Sequence, residues 1–269
     1  GQRYNVPVLI TEHALWHPWM DDYPRARKQA VWAAAQCTFH LTGSCALRDS
    51  VVDFTGLPEK MRIIPIGMDD TVFTPEDSGA VPDANQILYV GRFQPVKGVD
   101  VLIQAMRLLI QQHSEAHLVL VGGSLYQTHE EQTVRTLVQE LGLSQAVHFA
   151  GIKQPSEVAE FMRRSAVVVL PSRRESFGTV LVEALACGTP VVATRCGGPE
   201  DIVTPNNGYL VPMDDPRELA AALEQVLSQR SRFDSRQLSA QAIQQYSWRQ
   251  VAHKVVDLYK EAINLHRRD

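Results

Sequence analysis

From residue 86 onward, short continuous apolar runs alternate with segments of helical period. The runs at 87–91, 118–122, 147–151, 167–171, 190–194 and 208–211 predict strands. They lack the in–out alternation of a half-exposed sheet, so they predict strands buried on both faces. Helical periodicity covers 99–111, 130–141, 156–164 and 178–187. Strands alternating with helices in this way predict a doubly wound parallel α/β sheet, whose ligands bind beyond the carboxyl ends of the strands. The first third is less regular. It predicts strands at 6–11, 37–41 and 61–66 and helices at 24–36 and 44–54. Residues 67–85 are rich in Asp, Pro and Gly and read as a domain boundary. Two helices close the chain, at 217–227 and 247–265. Trp248, Val251, Val255, Leu258, Tyr259 and Ile263 give the last one an apolar face suited to packing back across a neighbouring domain.

Against this pattern one charge is out of place. Glu183 lies inside the apolar stretch 180–186, where a carboxylate costs several kcal/mol unless something satisfies it. Glu175 precedes it with the spacing E-x(7)-E. Between them Gly178 and Thr179 fall where a helix begins and backbone N–H groups are free. The segment thus offers an anion site and two carboxylates that accept from hydroxyls, a combination suited to a nucleotide sugar. The loop after the strand at 87–91 adds Arg92, a planar fork for phosphate oxygens, and Lys97, a point charge. It lacks the spacing of a Walker loop, and Gly122-Gly123 is short of a dinucleotide fingerprint.

Composition narrows the field. The 269 residues are 45% apolar with a net charge of −4, which argues against bulk nucleic-acid binding. No apolar run approaches the roughly 20 residues of a membrane helix. Cys37, Cys45, Cys187 and Cys196 form no C-x-x-C pair and read as buried thiols in a reducing compartment. The paired acids Asp21-Asp22, Asp69-Asp70 and Asp214-Asp215 read as surface turns, and no D-x-D motif is present, so no catalytic metal is expected. Arg25, Arg27 and Lys28 on the first helix read as a solvated face. The chain opens with Gly, not Met, and is expected to be processed or part of something longer.

The motifs also occur in a telling order: Gly91-Arg92-x(4)-Lys97-Gly98, Leu120-Val121-Gly122-Gly123, Val147-x-Phe149-x-Gly151, Pro171-Ser172-x(2)-Glu175-Ser176-Phe177-Gly178-x(4)-Glu183-Ala184, Gly188-Thr189-Pro190, Gly197-Gly198-x-Glu200 and Asn207-Gly208. This set resembles the family 4 retaining glycosyltransferases of the GT-B fold over nearly all of residues 63–260. Upstream, Thr11-Glu12-His13 resembles the T-x-H that ends a late strand of the family's N-terminal domain. Ile64-Pro65-Ile66-Gly67-Met68-Asp69 resembles I-P-N-G-V-D before the interdomain linker, with Ile66 in place of Asn.

The resemblance implies a complete C-terminal Rossmann-like domain plus the last part of an N-terminal one. Residues 1–75 would be the acceptor-side remnant, 76–245 the donor domain and 246–269 a helix returning to the N-terminal side. The family's upstream glycine-rich loop has no counterpart here, so the chain is expected to start late in its first domain. Arg92 and Lys97 would hold the diphosphate, with Gly91 beside them. Glu175 would contact sugar hydroxyls, and Glu183 the ribose diol. Phe177, Gly178, Thr179 and Val180 would lie along phosphate and ribose, Ile152 and Lys153 would border the base, and His13 would stand by the donor sugar.

The implied activity is transfer of a sugar from a nucleotide diphosphate sugar to a glycan, lipid or small-molecule acceptor, as in bacterial polysaccharide or cell-envelope synthesis. No cofactor beyond the donor substrate, no nucleic-acid partner, and a cytoplasmic site with peripheral contact at the inner membrane face complete the expectation. The alternatives are a non-catalytic nucleotide-sugar-binding subunit, an inactive fragment, and a GT-B-like epimerase or phosphorylase.

Overall fold

A computed structural model describes residues 6–14, 22–75, 82–123 and 129–267. The strands fall into two parallel sheets. One has three strands in the order β1-β2-β3: Leu9–Glu12, Phe39–Thr42 and Met61–Ile63. The other has six in the order β6-β5-β4-β7-β8-β9. Here β4 is Asp83–Gly91, β5 His117–Gly122, β6 Val147–Gly151, β7 Ser165–Leu170, β8 Val191–Thr194 and β9 Gly208–Val211. Every pairing in this sheet is parallel. The chain winds outward from β4 in one direction, then returns to start again at β7. The topological switch point therefore lies between β4 and β7, where a crevice opens at the carboxyl ends.

Burial explains the continuous apolar runs. Every residue of β7 is buried, with Val167, Val168 and Val169 fully enclosed. Helices α3 (Val99–Leu109), α4 (His129–Glu140), α5 (Pro155–Arg164), α6 (Thr179–Ala186), α7 (Pro216–Ser228) and α8 (Ser235–Tyr246) accompany the large sheet. Polar caps set several helix starts: Asp215 accepts from Arg217 N and Glu218 N, and Asp234 from Arg236 N and Gln237 N.

Helices α1 (Pro24–Gln36) and α2 (Cys45–Thr55) accompany the small sheet. The C-terminal helix α9 (Trp248–His266) packs on it too, burying Leu258 and Ala262 with Phe39 and Leu41. Further bonds tie α9 and its junction with α8 to β3 and the segment after it. Met68 N donates to Tyr246 O at 2.8 Å, Trp248 N to Met68 O at 3.1 Å, and Arg62 pairs with Glu261 at 3.0 Å.

Several expected boundaries shift. The strand expected at 6–11 forms over Leu9–Glu12, and the one expected at 61–66 stops at Ile63, just ahead of Pro65. Strand β4 begins at Asp83, inside the segment read as linker. Helix α8 was not expected: its Gln-rich sequence shows little apolar stripe, yet Leu238, Ser239, Ala242 and Tyr246 are buried. Among the described residues no helix is long and apolar enough to cross a membrane. The Asp21 half of one acidic pair lies outside the described residues.

Candidate active site

The switch point brings together the loops that follow β4 and β7. After Gly91 the chain runs through a single 3-10 turn, Pro95–Lys97, to Gly98, which starts α3 at φ 65°. A Cβ on Gly98 would lie 2.0 Å from the Pro171 carbonyl oxygen. Only glycine lets the first loop lie directly on the end of β7 in this left-handed conformation. The result is contact between the two charges that matter: Lys97 Nζ donates to Glu175 Oε2 at 2.7 Å. Both side chains are mostly shielded, with relative exposures of 22% and 16%, so the pair is screened less than a surface bridge.

Each loop is held from behind. Glu175 N donates to Cys196 O at 3.2 Å, and Gly198 N donates to Glu175 O at 2.8 Å. A Cβ on Gly198 would sit 2.3 Å from Phe177 Cα, so the 175–178 and 196–198 segments are pressed backbone to backbone. The buried Tyr89 hydroxyl donates to Arg92 O at 2.6 Å. Burial first, and then the charge of Glu175, hold that phenol protonated, while Arg92 opposes them; Arg92 and Glu175 thus both bear on Tyr89. The Arg92 side chain itself is exposed and has no partner among the described residues.

Helix α6 starts at Gly178, whose φ of 101° and unprotected N-cap leave the first N–H groups without a side-chain acceptor. Thr179 and Val180 are half-buried on its first turn. One turn in, Glu183 accepts no hydrogen bond from a described residue. Burial alone pushes its pKa up to about 7. Phe177 turns its ring into the core against Tyr246, at 6.0 Å between centroids.

The remaining expected residues lie farther out. Ile152 is 50% exposed just after β6, two strands from β4, and Lys153 pairs with Glu157 at 3.4 Å. His13 is exposed just after β1 and borders a cleft of about 210 Å³ that also takes in Glu12, Gly43, Ile66 and Trp248. Among the described residues no contact joins its side chain to Lys97, Glu175 or Arg92. The cleft does approach the loop after β7: a Cβ on Gly43 would meet Ile66 Cγ1 at 3.4 Å and Phe177 Cβ at 3.7 Å.

Two features were not anticipated from the sequence. Arg173 ties the 91–98 loop to β7, although the Ser-Arg-Arg-Glu run had put cations beside Glu175 in view. The amino end of α2 meets the loop after β7 and the Gly198–Asp201 turn: Ser44 Oγ donates to Ser176 O at 2.6 Å, and Cys45 N to Asp201 Oδ2 at 2.5 Å. Burial raises all four thiol pKa values, to about 12 for Cys187 and about 11 for Cys196, so the cysteines stay protonated near neutrality. No group of three or more His, Cys, Asp or Glu among the described residues is arranged to hold a metal ion.

Two parallel sheets joined by a returning C-terminal helix, with cations and carboxylates gathered at the switch point of the larger, have the architecture of the GT-B fold. The chain belongs to the group 1 glycosyl transferases, whose family model matches residues 71–246. It is 31% identical to a D-inositol 3-phosphate glycosyltransferase of Acidothermus cellulolyticus, over 98% of this chain and 64% of that protein. A protein of the same name from Corynebacterium urealyticum is 35% identical over 75% of this chain and 51% of its own length. The chain thus spans just under two thirds, and about half, of these relatives.

Among solved structures, Anabaena Alr3699/HepE in complex with UDP and glucose matches with a TM-score of 0.81 at 23% identity, over 94% of this chain and 71% of that one. Sucrose-phosphate synthase from Thermosynechococcus elongatus matches with a TM-score of 0.79 at 27% identity, over 94% and 67%.

Proposed function

We propose that this chain carries the donor site of a metal-independent, retaining glycosyltransferase that moves a sugar from a nucleotide diphosphate sugar to an acceptor alcohol. The observation that carries the reading is the Lys97–Glu175 pair at the switch point, beside the open amino end of α6 and the unsatisfied Glu183. A diphosphate entering the crevice displaces Glu175 from Lys97 and takes up Arg92 and the α6 N–H groups. Glu175 is then free to accept from sugar hydroxyls, and Glu183 from the ribose diol. Ile152 and Lys153 border the base. His13 stands on the acceptor side of the sugar. Solved complexes with UDP and glucose in a protein of the same fold support a uridine nucleotide as the first candidate.

In the reaction the bond from the anomeric carbon to the diphosphate oxygen breaks while the acceptor oxygen bonds to the same face. The acceptor proton passes to the leaving diphosphate. Negative charge grows on that diphosphate in the transition state, where Arg92, Lys97 and the start of α6 stabilise it without a metal. Glu175 orients the sugar and forms no covalent bond.

Residues 1–75 serve the acceptor side, 76–245 the donor and 246–269 return to the acceptor side. The work is placed in the cytoplasm, with peripheral membrane contact where the acceptor is a lipid. Incubation with UDP-glucose and a panel of acceptors, read by product anomer, tests the reading. An α-linked product with no glycosyl adduct on Glu175 supports it. An inverted product or a trapped Glu175 adduct contradicts the front-face course, and donor binding with no turnover points to a non-catalytic binding subunit.

A further inference from the structure

Each nitrogen of the Arg173 guanidinium is hydrogen-bonded: Nη1 and Nη2 reach back to the cationic loop and the helix after it, and Nε to the turn after β9. Nη1 and Nη2 meet both oxygens of Asp100, in the first turn of α3, at 2.9 and 2.7 Å. Nη1 also donates to the Pro95 carbonyl, Nε donates to Asp214 Oδ1 at 2.6 Å, and the Arg173 backbone N–H donates to Val96 O at 2.8 Å. Pro95 and Val96 are the two residues before Lys97, and Arg173 stands two residues before Glu175. Asp214 is held at φ 55°, alone among the described non-glycine residues in taking a positive φ. Backbone strain at a single position facing a functional loop marks a geometry that its surroundings enforce.

We infer that Arg173 is the positioning residue of the donor site: its guanidinium locks the 3-10 turn Pro95–Lys97 onto β7, so that Lys97 is aimed at the terminal phosphate. Arg173 touches neither sugar nor phosphate. It acts through Lys97, and the inference rests on the donor-site reading above. A bidentate, planar fork bonded to two carboxylates and a carbonyl fixes a loop in a way a lysine cannot copy.

The test is calorimetric binding of UDP, GDP and ADP, each beside its monophosphate. It is run on the unsubstituted chain, Arg173→Met, Lys97→Ala, the double variant and Asp214→Asn, with thermal melting for each. The expected result is a loss of diphosphate affinity of about 10-fold in Arg173→Met, with monophosphate affinity within about twofold, and less than about a twofold further loss when Lys97 is already Ala. Asp214→Asn keeps a residue that tolerates the left-handed conformation. It is expected to melt as the unsubstituted chain does and to lose diphosphate affinity in the same selective way, by less. Equal losses for mono- and diphosphates, or additive losses in the double variant, overturn the inference and leave the donor site standing. If Arg173→Met does not fold, Asp214→Asn decides by the same criterion. An unsubstituted chain that melts cooperatively and binds no nucleotide diphosphate overturns the donor-site reading itself and this inference with it.

Discussion

Lys97 and Glu175 lie 78 residues apart in sequence and meet at 2.7 Å across the switch point of the large sheet. Each neutralises the other. A diphosphate competes with Glu175 for Lys97, so removing Glu175 leaves the cation free. Glu175→Ala is therefore expected to hold or raise UDP affinity while abolishing most turnover. Lys97→Ala is expected to weaken UDP binding by about 1.5–3 kcal/mol, roughly 10- to 150-fold. Calorimetry on both variants checks this, and a large loss of UDP affinity in Glu175→Ala would contradict the placement.

Glu183 supplies a pH dependence. Its pKa is raised from 4.5 to about 7 by burial, so the folded chain favours the protonated acid. Ribose hydroxyls bind the carboxylate form best, so nucleotide affinity should rise through about pH 7 and level off above it. Glu183→Gln should bind more weakly and show no such rise. Fold stability runs the other way: Glu183's contribution is fully present below pH 4.5 and is lost as pH rises through about 7. Near pH 8, Glu183→Gln is expected to be the more stable chain by ~1–3 kcal/mol, read from denaturant melts at acid and alkaline pH.

Gly98 is fixed by geometry. Alanine there must hold φ 65° and place its Cβ 2.0 Å from the Pro171 oxygen. The left-handed conformation alone costs roughly 1–2 kcal/mol, and relief of the overlap must move the loop. Gly98→Ala should melt several degrees lower and lose diphosphate binding more than monophosphate binding. Unchanged melting would contradict the packing described.

Ser44 caps α2, accepting from Leu47 N at 3.1 Å while donating to Ser176 O at 2.6 Å. Ser44→Ala removes both bonds, at a cost of about 0.5–2 kcal/mol from the cap alone. Differential scanning calorimetry should show a lowered melting temperature, whereas Ser44→Thr retains an oxygen and should recover most of it.

The large sheet was legible because its strands are enclosed on both faces: Val167, Val168 and Val169 announce burial with no alternation to misread. Gly178 and the spacing of the two glutamates singled out a segment that the structure sets at the switch point, since a buried carboxylate is a costly residue to place without a use. Arg173 escaped because its partners, Asp100 and Asp214, are brought to it only by the sheet order. Helix α8 escaped because a Gln-rich segment buries little, and its signal was the Asp234 cap rather than a stripe. Strand β1 is short and flanked by irregular chain, so its register depends on pairing with β2, Leu9 opposite Phe39, and not on local pattern.

The crevice between β4 and β7 is proposed to bind a nucleotide diphosphate through cations and backbone without a metal. The most direct test is calorimetric titration of UDP, GDP and ADP into the chain and into Glu183→Ala, each with and without EDTA. The predicted result is saturable binding of one nucleotide, unchanged by EDTA and strongly weakened in Glu183→Ala. Binding that vanishes with EDTA, or survives the substitution unchanged, would contradict it.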